Sequence, residues 1–305
     1  MKIAITGANG FLGRALTNAA KCRGIDVAVH FGPPPANDAA TSDHRQEVDI
    51  CDVNSLAALF VGADAIIHLA GPSDVAGSFR DPAETTRAHV AGTAAVLDAA
   101  HRSQAGRLIY ISSAEVYGRT DGVPIKETAA LLPLSPYGAA KAAAELLVAT
   151  ALRRGELDSA IVLRPFSVYG PGGRRTSVLG RMLAQIQRRE PLRVFSTRPV
   201  RDYVHVDDVV AGILCALSYD ASGLLTANIA SGQGISVGEL GRALATLTGS
   251  PAGIIEVPDA DRPLSHDINH LVGDASVAKS ELGWRPTIDL DTGLRQCLDA
   301  AEVAS

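Results

Sequence analysis

A tyrosine and a lysine four residues apart, Tyr137 and Lys141, lie in SPYGAAKAAAELLVATALRRG, a run that reads as a helix opened by Ser-Pro. Residues i and i+4 share a helical face, so phenol and ammonium can act on one point in space. A free phenol titrates near ~10 and is a poor base at neutral pH, but a neighbouring cation favours its ionised form. A tyrosine so placed can take a proton from an alcohol. The spacing alone also describes an ordinary surface pair, so its weight rests on what stands nearby. Just upstream, SSAEVYG (112–118) follows RLIYI, an apolar run with the character of a buried strand. Two hydroxyls, Ser112 and Ser113, and a carboxylate, Glu115, therefore sit at the mouth of that strand.

A glycine loop adds a binding surface. GANGFLG carries Gly7, Gly10 and Gly13 between the strand pattern MKIAIT and the helical pattern RALTNAAKCRG. In that context glycines permit a tight turn and let a pyrophosphate approach the helix N-terminus, where free N–H groups and the dipole favour anions. A cationic nicotinamide would favour the phenolate further, with hydride leaving the carbon whose hydroxyl the tyrosine deprotonates. Dinucleotide folds usually place an acid at the end of the second strand, for the adenosine ribose. Here that strand ends VAVHFG, with Phe31 at the place of the acid, and no Arg or Lys follows at once. His30, His44 and Arg45 are the candidate substitutes. NAD is favoured and NADP stays open, because a 2′-phosphate without a clear cation is the costlier omission.

The elements that must hold these groups alternate. Strand patterns IDVAVHF, QEVDICD, ADAIIHLAG, RLIYISS and SAIVLRPFSVYG are separated by helical patterns, the longest being DPAETTRAHVAGTAAVLDAAHRSQ. Alternation of this kind gives βαβ units and a parallel sheet covered on both faces. The expected fold class is α/β, a Rossmann-type doubly wound sheet over residues 1–165 with a smaller C-terminal lobe over 166–305. Some of the latter, about 200–232, is expected to return to the first domain. In the lobe RVFS, DYVHV and GIIEV read as short strands. Ligands of open parallel sheets bind at the carboxyl ends of the strands, which is where SSAEVYG falls.

Composition narrows the partners. The 305 residues carry a formal charge of −5, and 47% are apolar. An acidic chain (pI ≈ 5.9) lacks the basic field of a general nucleic-acid binder. Four scattered cysteines, Cys22, Cys51, Cys215 and Cys297, form no CxxC pair, so no disulfide framework, zinc site or other metal site is expected and a cytoplasmic setting fits. No secretory leader is expected, and no apolar run approaches the ~20 residues of a membrane span.

The segments GANGFLG, HLAG, SSAEVYG, YGAAK, RPFSVYGPGG, RDYVHVDD and LGWRP fall in an order that resembles the extended short-chain dehydrogenase/reductases, above all their NAD-dependent nucleotide-sugar epimerase/dehydratase branch. The resemblance implies Tyr137 as catalytic base, Lys141 as its partner and a holder of the nicotinamide ribose, and Ser113 as the catalytic hydroxyl. It implies that the cofactor meets Gly7, Gly10, Phe11, Leu12 and Gly13, Asp49 and Ile50 at the adenine, Leu69, Ala70 and Gly71, and Pro165. On the substrate side it implies Ser73, Ser113 and Ser167, Val194 and Phe195 at the base, and Arg201 with Arg262 at the pyrophosphate. Arg174 and Arg175 read as solvated. The family commonly forms homodimers through helices near 83–102 and 136–153, paired as a four-helix bundle.

Departures from the family pattern bear on the reaction. Many 4,6-dehydratases of the family have Asp-Glu after the catalytic Ser/Thr; here Ala114 replaces the Asp, while Glu115 stays. Ser167 and His89 stand where the family often has Asn, and Ser73 where galactose epimerases have Lys. Ala114 weighs against an Asp-dependent dehydratase, and the other three departures argue against a housekeeping UDP-galactose 4-epimerase and for a specialised sugar. The expected reaction is hydride transfer at sugar C4 in a 4-epimerase, with an NADPH-dependent 4-ketoreductase or a Glu-only dehydratase or decarboxylase as alternatives. A reductase of non-nucleotide carbonyls and a non-catalytic dinucleotide-sensing scaffold are the competing classes; retention of Ser113, Tyr137 and Lys141 weighs against the scaffold.

Overall fold

The computed structural model describes residues 1–32, 48–120, 124–220, 222–249, 253–257 and 268–303. Its elements are β1 (Lys2–Thr6), α1 (Phe11–Cys22), β2 (Asp26–His30), α2 (Val53–Phe60), β3 (Ala65–His68), α3 (Val75–Arg80), α4 (Pro82–Thr86), a π-helical turn (Arg87–Ala91), α5 (Gly92–Ser103), β4 (Arg107–Ile111), α6 (Pro136–Arg153), β5 (Ser159–Pro165), β6 (Ser167–Tyr169), α7 (Val178–Gln187), β7 (Leu192–Val194), β8 (Val200–His205), α8 (Val206–Ser218), β9 (Gly223–Ile229), β10 (Gly234–Ser236), α9 (Val237–Thr248), β11 (Ile254–Glu256), β12 (His270–Leu271), α10 (Ser276–Glu281) and α11 (Leu290–Val303).

The chain is α/β. Six parallel strands form the main sheet in the order β2-β1-β3-β4-β5-β9. Successive residues of a strand point to opposite faces, and the core divides accordingly. Ile3, Ile5, Ile67, Ile109 and Ile161 pack on one side with Leu16 of α1 and Ile213 of α8. Ala4, Ile66, Leu108, Tyr110 and Ala160 pack on the other with Leu56 of α2, Val96 of α5 and Val148 of α6. Burial on both faces explains why these strands read as continuous apolar runs. The order reverses between β1 and β3, so their carboxyl ends open into a crevice at the switch point.

A smaller lobe is built on β8, which pairs with β6, β10 and β12, and on the β7–β11 pair. Tyr169, Leu179, Met182, Leu192, Leu240, Leu244 and Leu294 fill it. Two expected strands change. The described part of QEVDICD is a turn: Val48 N–H donates to the Phe31 carbonyl (3.0 Å), and Asp52 caps α2. SAIVLRPFSVYG breaks after Pro165, a residue with no N–H to extend a ladder; Phe166 N–H turns to Ile229 O (3.0 Å), and β6 joins the other sheet. Among the described residues no helix is long and apolar enough to cross a membrane.

Candidate active site

The crevice is lined by glycines for steric reasons. Gly7 turns in the left-handed region (φ +75°), and a Cβ there would lie 2.8 Å from the Ala70 backbone. A Cβ on Gly13 would overlap the Gly7 carbonyl oxygen. At Gly10 the added atom would meet only Gly7 O (3.3 Å), so this residue keeps the mouth clear. Gly10 is also the N-cap of α1 and supplies no side-chain acceptor to the first turn, where Phe11 and Leu12 begin the helix. Leu69, Ala70 and Gly71 form the opposite lip, tied to β1 by Leu69 N–H to Thr6 O (3.2 Å).

Further along, Ile50 is buried under α5, where a Cβ on Gly92 would press it at 2.9 Å. The Asp49 carboxylate accepts the Cys51 N–H (3.0 Å) and Arg87 Nη1 (2.9 and 3.0 Å), which hold its pKa below the usual range. His30 is buried, bonded to the Val48 carbonyl (2.9 Å), and burial lowers its pKa. It therefore stays neutral and presents no cation to a ribose substituent. His44, Arg45 and Arg262 lie outside the described residues.

Beneath the lip runs a buried polar chain whose proton directions follow from its ends. Thr93 Oγ1 donates to His89 O (2.6 Å) and so accepts from His68 Nε2 (3.0 Å). His68 Nδ1 is then bare and accepts from Thr6 Oγ1 (2.8 Å), which in turn accepts the Ala70 N–H (3.3 Å). Desolvation drives the His68 pKa well down, which keeps this order fixed. His68 opens the HLAG segment, but nothing in the sequence shows that it meets Thr93; only the sheet and α5 bring them together.

Ser113 and Tyr137 meet above this layer. Ser135 caps α6 by accepting the Gly138 N–H (3.0 Å), with Pro136 at the first helical position, so Tyr137 falls in the first turn. Its phenol is buried, and the Ser113 hydroxyl is near enough to favour the ionised form. Burial pushes Tyr137 up to about 12; Ser113 and the charge of Arg174 pull it down, and the Glu115 carboxylate pushes it up. Ser113, Arg174 and Glu115 are thus all within electrostatic reach of the phenol. Glu115 lies in the short 3-10 turn Ala114–Val116, whose N-cap is Ser113. Arg174 is exposed, as expected, and also donates to the Ser73 carbonyl, bridging the loop after β6 to the loop after β3.

Lys141 differs from the expectation of a cation that lowers the phenol. Its Nζ donates to the Ile111 carbonyl (2.8 Å) and lies 4.9 Å above the Tyr110 ring. Burial brings it down to about 7, against the opposing charge of Glu145. Ser112, one residue from Ser113 and pointing the other way, donates to Glu145. Glu145 also holds Arg164 through Nε (2.9 Å) and Nη2 (2.6 Å), and Arg164 Nη1 reaches Tyr117 Oη (2.9 Å). Pro165 is buried at the end of β5, and Ser167 opens β6 opposite Tyr203.

Val194, Phe195 and Arg201 line a shallow open cleft in the small lobe. Arg181 and Arg193 join them, residues that sequence reading passed over because each reads as a solvated charge. Arg201 Nη1 is held by Val200 O (3.0 Å) and Ile268 O (2.7 Å).

Residues 3–230 match the NAD dependent epimerase/dehydratase family. The chain belongs to that family. Its relatives at about the same distance differ in reaction. It is 30% identical to a UDP-glucose 4-epimerase of Azospirillum brasilense, over 97% of this chain and 91% of that one. It is 31% identical to a GDP-6-deoxy-D-mannose reductase of Pseudomonas aeruginosa (97% and 96%). It is 32% identical to a dTDP-glucose 4,6-dehydratase of Streptomyces griseus (95% and 90%). Among solved structures it superposes on MoeE5 in complex with UDP-glucuronic acid and NAD, with a TM-score of 0.89, 30% identity and full coverage of both chains. This member of the epimerase/dehydratase family is therefore an enzyme with the fold of nucleotide-sugar enzymes, whose particular reaction its relatives leave undecided.

Proposed function

We propose that this enzyme uses NAD to act at C4 of a nucleotide sugar and that its reaction is 4-epimerisation. The carrying observation is the buried Tyr137 phenol with the half-buried Ser113 hydroxyl near it, together with the glycine crevice. The loop fits a pyrophosphate: Gly7 and Gly13 permit its tight turn against Ala70 and the Gly7 carbonyl, and Gly10 leaves the helix mouth open. Leu69, Ala70 and Gly71 would line the same group, Asp49 and Ile50 its adenine, Pro165 its nicotinamide, and Lys141 its ribose. When bound, NAD supplies the hydride acceptor and a positive ring. Among the described residues the end of β2 offers Phe31 and a neutral His30, which supports NAD over NADP.

Ser113 holds the C4 hydroxyl, and Tyr137 takes its proton as that carbon is oxidised. Tyr137 returns the proton when the opposite face of the turned keto-sugar is reduced. Arg201, with Val194 and Phe195, would hold the nucleotide end, its forked donors suiting a diphosphate. Leu146 on α6 is 65% exposed, which supports a homodimer through that helix and α5.

A second reading is favoured by the position of Glu115. Its carboxylate is close enough to raise the Tyr137 pKa, as a base for a C5 proton would be, whereas Ala114 has no proton to give. Incubation of the NAD-loaded chain with UDP-, GDP- and dTDP-sugars in deuterated water separates the two. Inversion at C4 without deuterium at C5 supports epimerisation; deuterium at C5 supports elimination. Turnover by Tyr137→Phe within a few-fold of wild type would sink the assignment of the base.

A further inference from the structure

His89 sits in the middle of the π-helical turn Arg87–Ala91, within an otherwise α-helical stretch from Pro82 to Ser103. Single π turns interrupt a helix at a cost and recur at functional positions. The side chain placed there is 1% exposed and makes contacts in two directions. Nε2 donates to the Pro72 carbonyl at 2.8 Å. The ring stands edge-on to Tyr137, with centroids 5.3 Å apart at 78°, an arrangement favourable for aromatic pairs. Gly71 is fitted to the same ring: its φ is +129°, and a Cβ there would run into Cε1 and Nδ1 of His89. The polar chain described above secures the other end of the lip, through the Ala70 N–H.

We propose that His89 is a positioning residue that clamps the Leu69–Ser73 lip and the Tyr137 ring to each other, the first by its hydrogen bond and the second by its ring edge. The part that concerns dinucleotide binding rests on the proposed function. The ends of the lip are tied by Leu69 N–H to Thr6 O and by Arg174 to the Ser73 carbonyl. Between them it is held at Ala70 N–H below and Pro72 C=O above, and His89 serves both of these: its carbonyl ends the chain from Ala70, and its imidazole holds Pro72. Burial brings its pKa down to about 3, so it acts as a neutral donor throughout the working range.

The two contacts can be removed separately. His89→Phe keeps a ring edge against Tyr137 and deletes the bond to Pro72. His89→Gln keeps a donor at about the reach of Nε2 and deletes the ring; His89→Ala deletes both. Two readouts on the full chain are needed. One is the fluorine spectrum of 3-fluorotyrosine-labelled protein, with the Tyr137 line assigned by its loss in Tyr137→Phe. The other is NAD affinity by calorimetry. The Tyr137 line should stay single and narrow in wild type and His89→Phe, and double or broaden in His89→Gln and His89→Ala. NAD binding should stay within twofold in His89→Gln and weaken about tenfold in His89→Phe and His89→Ala. A general loss of stability would move both readouts together in Phe and Gln, and that pattern, or any other departure from the crossed one, overturns the proposal. If Ala fails to fold, Phe and Gln still decide it. Failure of wild type to bind NAD would sink the cofactor reading instead, and the fluorine spectra would still decide whether His89 holds Tyr137.

Discussion

Replacing Lys141 by Met should make the protein more stable, and by an amount that depends on pH in a calculable way. The ammonium is 4% exposed, and burial takes its pKa from 10.5 to about 7. At about 1.4 kcal/mol per pH unit, carrying that charge into the fold opposes folding by roughly 5 kcal/mol at low pH. The sign follows from proton counting. Between pH 7 and 10.5 the unfolded chain holds the proton and the folded chain does not, so wild-type stability rises with pH there. The advantage of Lys141→Met is thus largest below pH 7 and should shrink by roughly 2–3 kcal/mol between pH 6 and pH 9. Loss of the bond to Ile111 O subtracts about 1 kcal/mol at every pH and leaves the slope untouched. Urea unfolding of both proteins at pH 6, 7.5 and 9, at fixed ionic strength, measures the gap directly. A gap constant to within about 0.5 kcal/mol would show that the ammonium is not desolvated, and the reasoning would fail.

Glu145→Leu and Arg164→Met should each cost about 3–5 kcal/mol in urea unfolding, since each strands one buried charge, while the double variant should cost far less than their sum. Gly13→Ala should lower the melting temperature and weaken NAD binding together, because the added methyl cannot avoid the Gly7 carbonyl and lies 2.8 Å from Ala8 Cα; a neutral effect would mean that the loop yields. Arg174→Met removes one of the two groups that pull Tyr137 down, so the rise of turnover with pH should move to higher pH; a shift to lower pH would exclude Arg174 from the site.

What the sequence discloses depends on the range of the interactions. The glycine loop, the strand ends and the Tyr137–Lys141 spacing are local patterns, and the structure assembles Ser113, Glu115 and Tyr137 from them. The polar chain Thr6–His68–Thr93–His89 spans β1, β3, α5 and the π-helical turn, and nothing in any one of them shows that they join. Ser112 and Ser113 look alike as text, yet the alternation of a strand end sends one to Glu145 and the other to Tyr137. Arg174 reads as a solvated charge and is exposed, but its bond to the Ser73 carbonyl joins segments about a hundred residues apart and has no local signal. The break after Pro165 was hidden by an unbroken apolar run, whose two halves serve different sheets.

The pocket's charges are withheld by one cause. Desolvation lifts Tyr137 to about 12, lowers Lys141 to about 7 and lowers His89 to about 3. Each shift favours the uncharged form, so above neutral pH the tyrosine, the lysine and the histidine beside them are mostly neutral in the protein alone. A neutral phenol is a poor base, and the protein's own aids, the nearby Ser113 hydroxyl and the Arg174 charge, are outweighed by burial. A low-dielectric pocket that disfavours phenolate also magnifies any cation brought next to it. A buried tyrosine with its hydroxyl partner already in place is therefore suited to become a base only in company with a positively charged ligand. That dependence ties the proton transfer to the bound state, and it explains why the residues around Tyr137 fix its position rather than its charge.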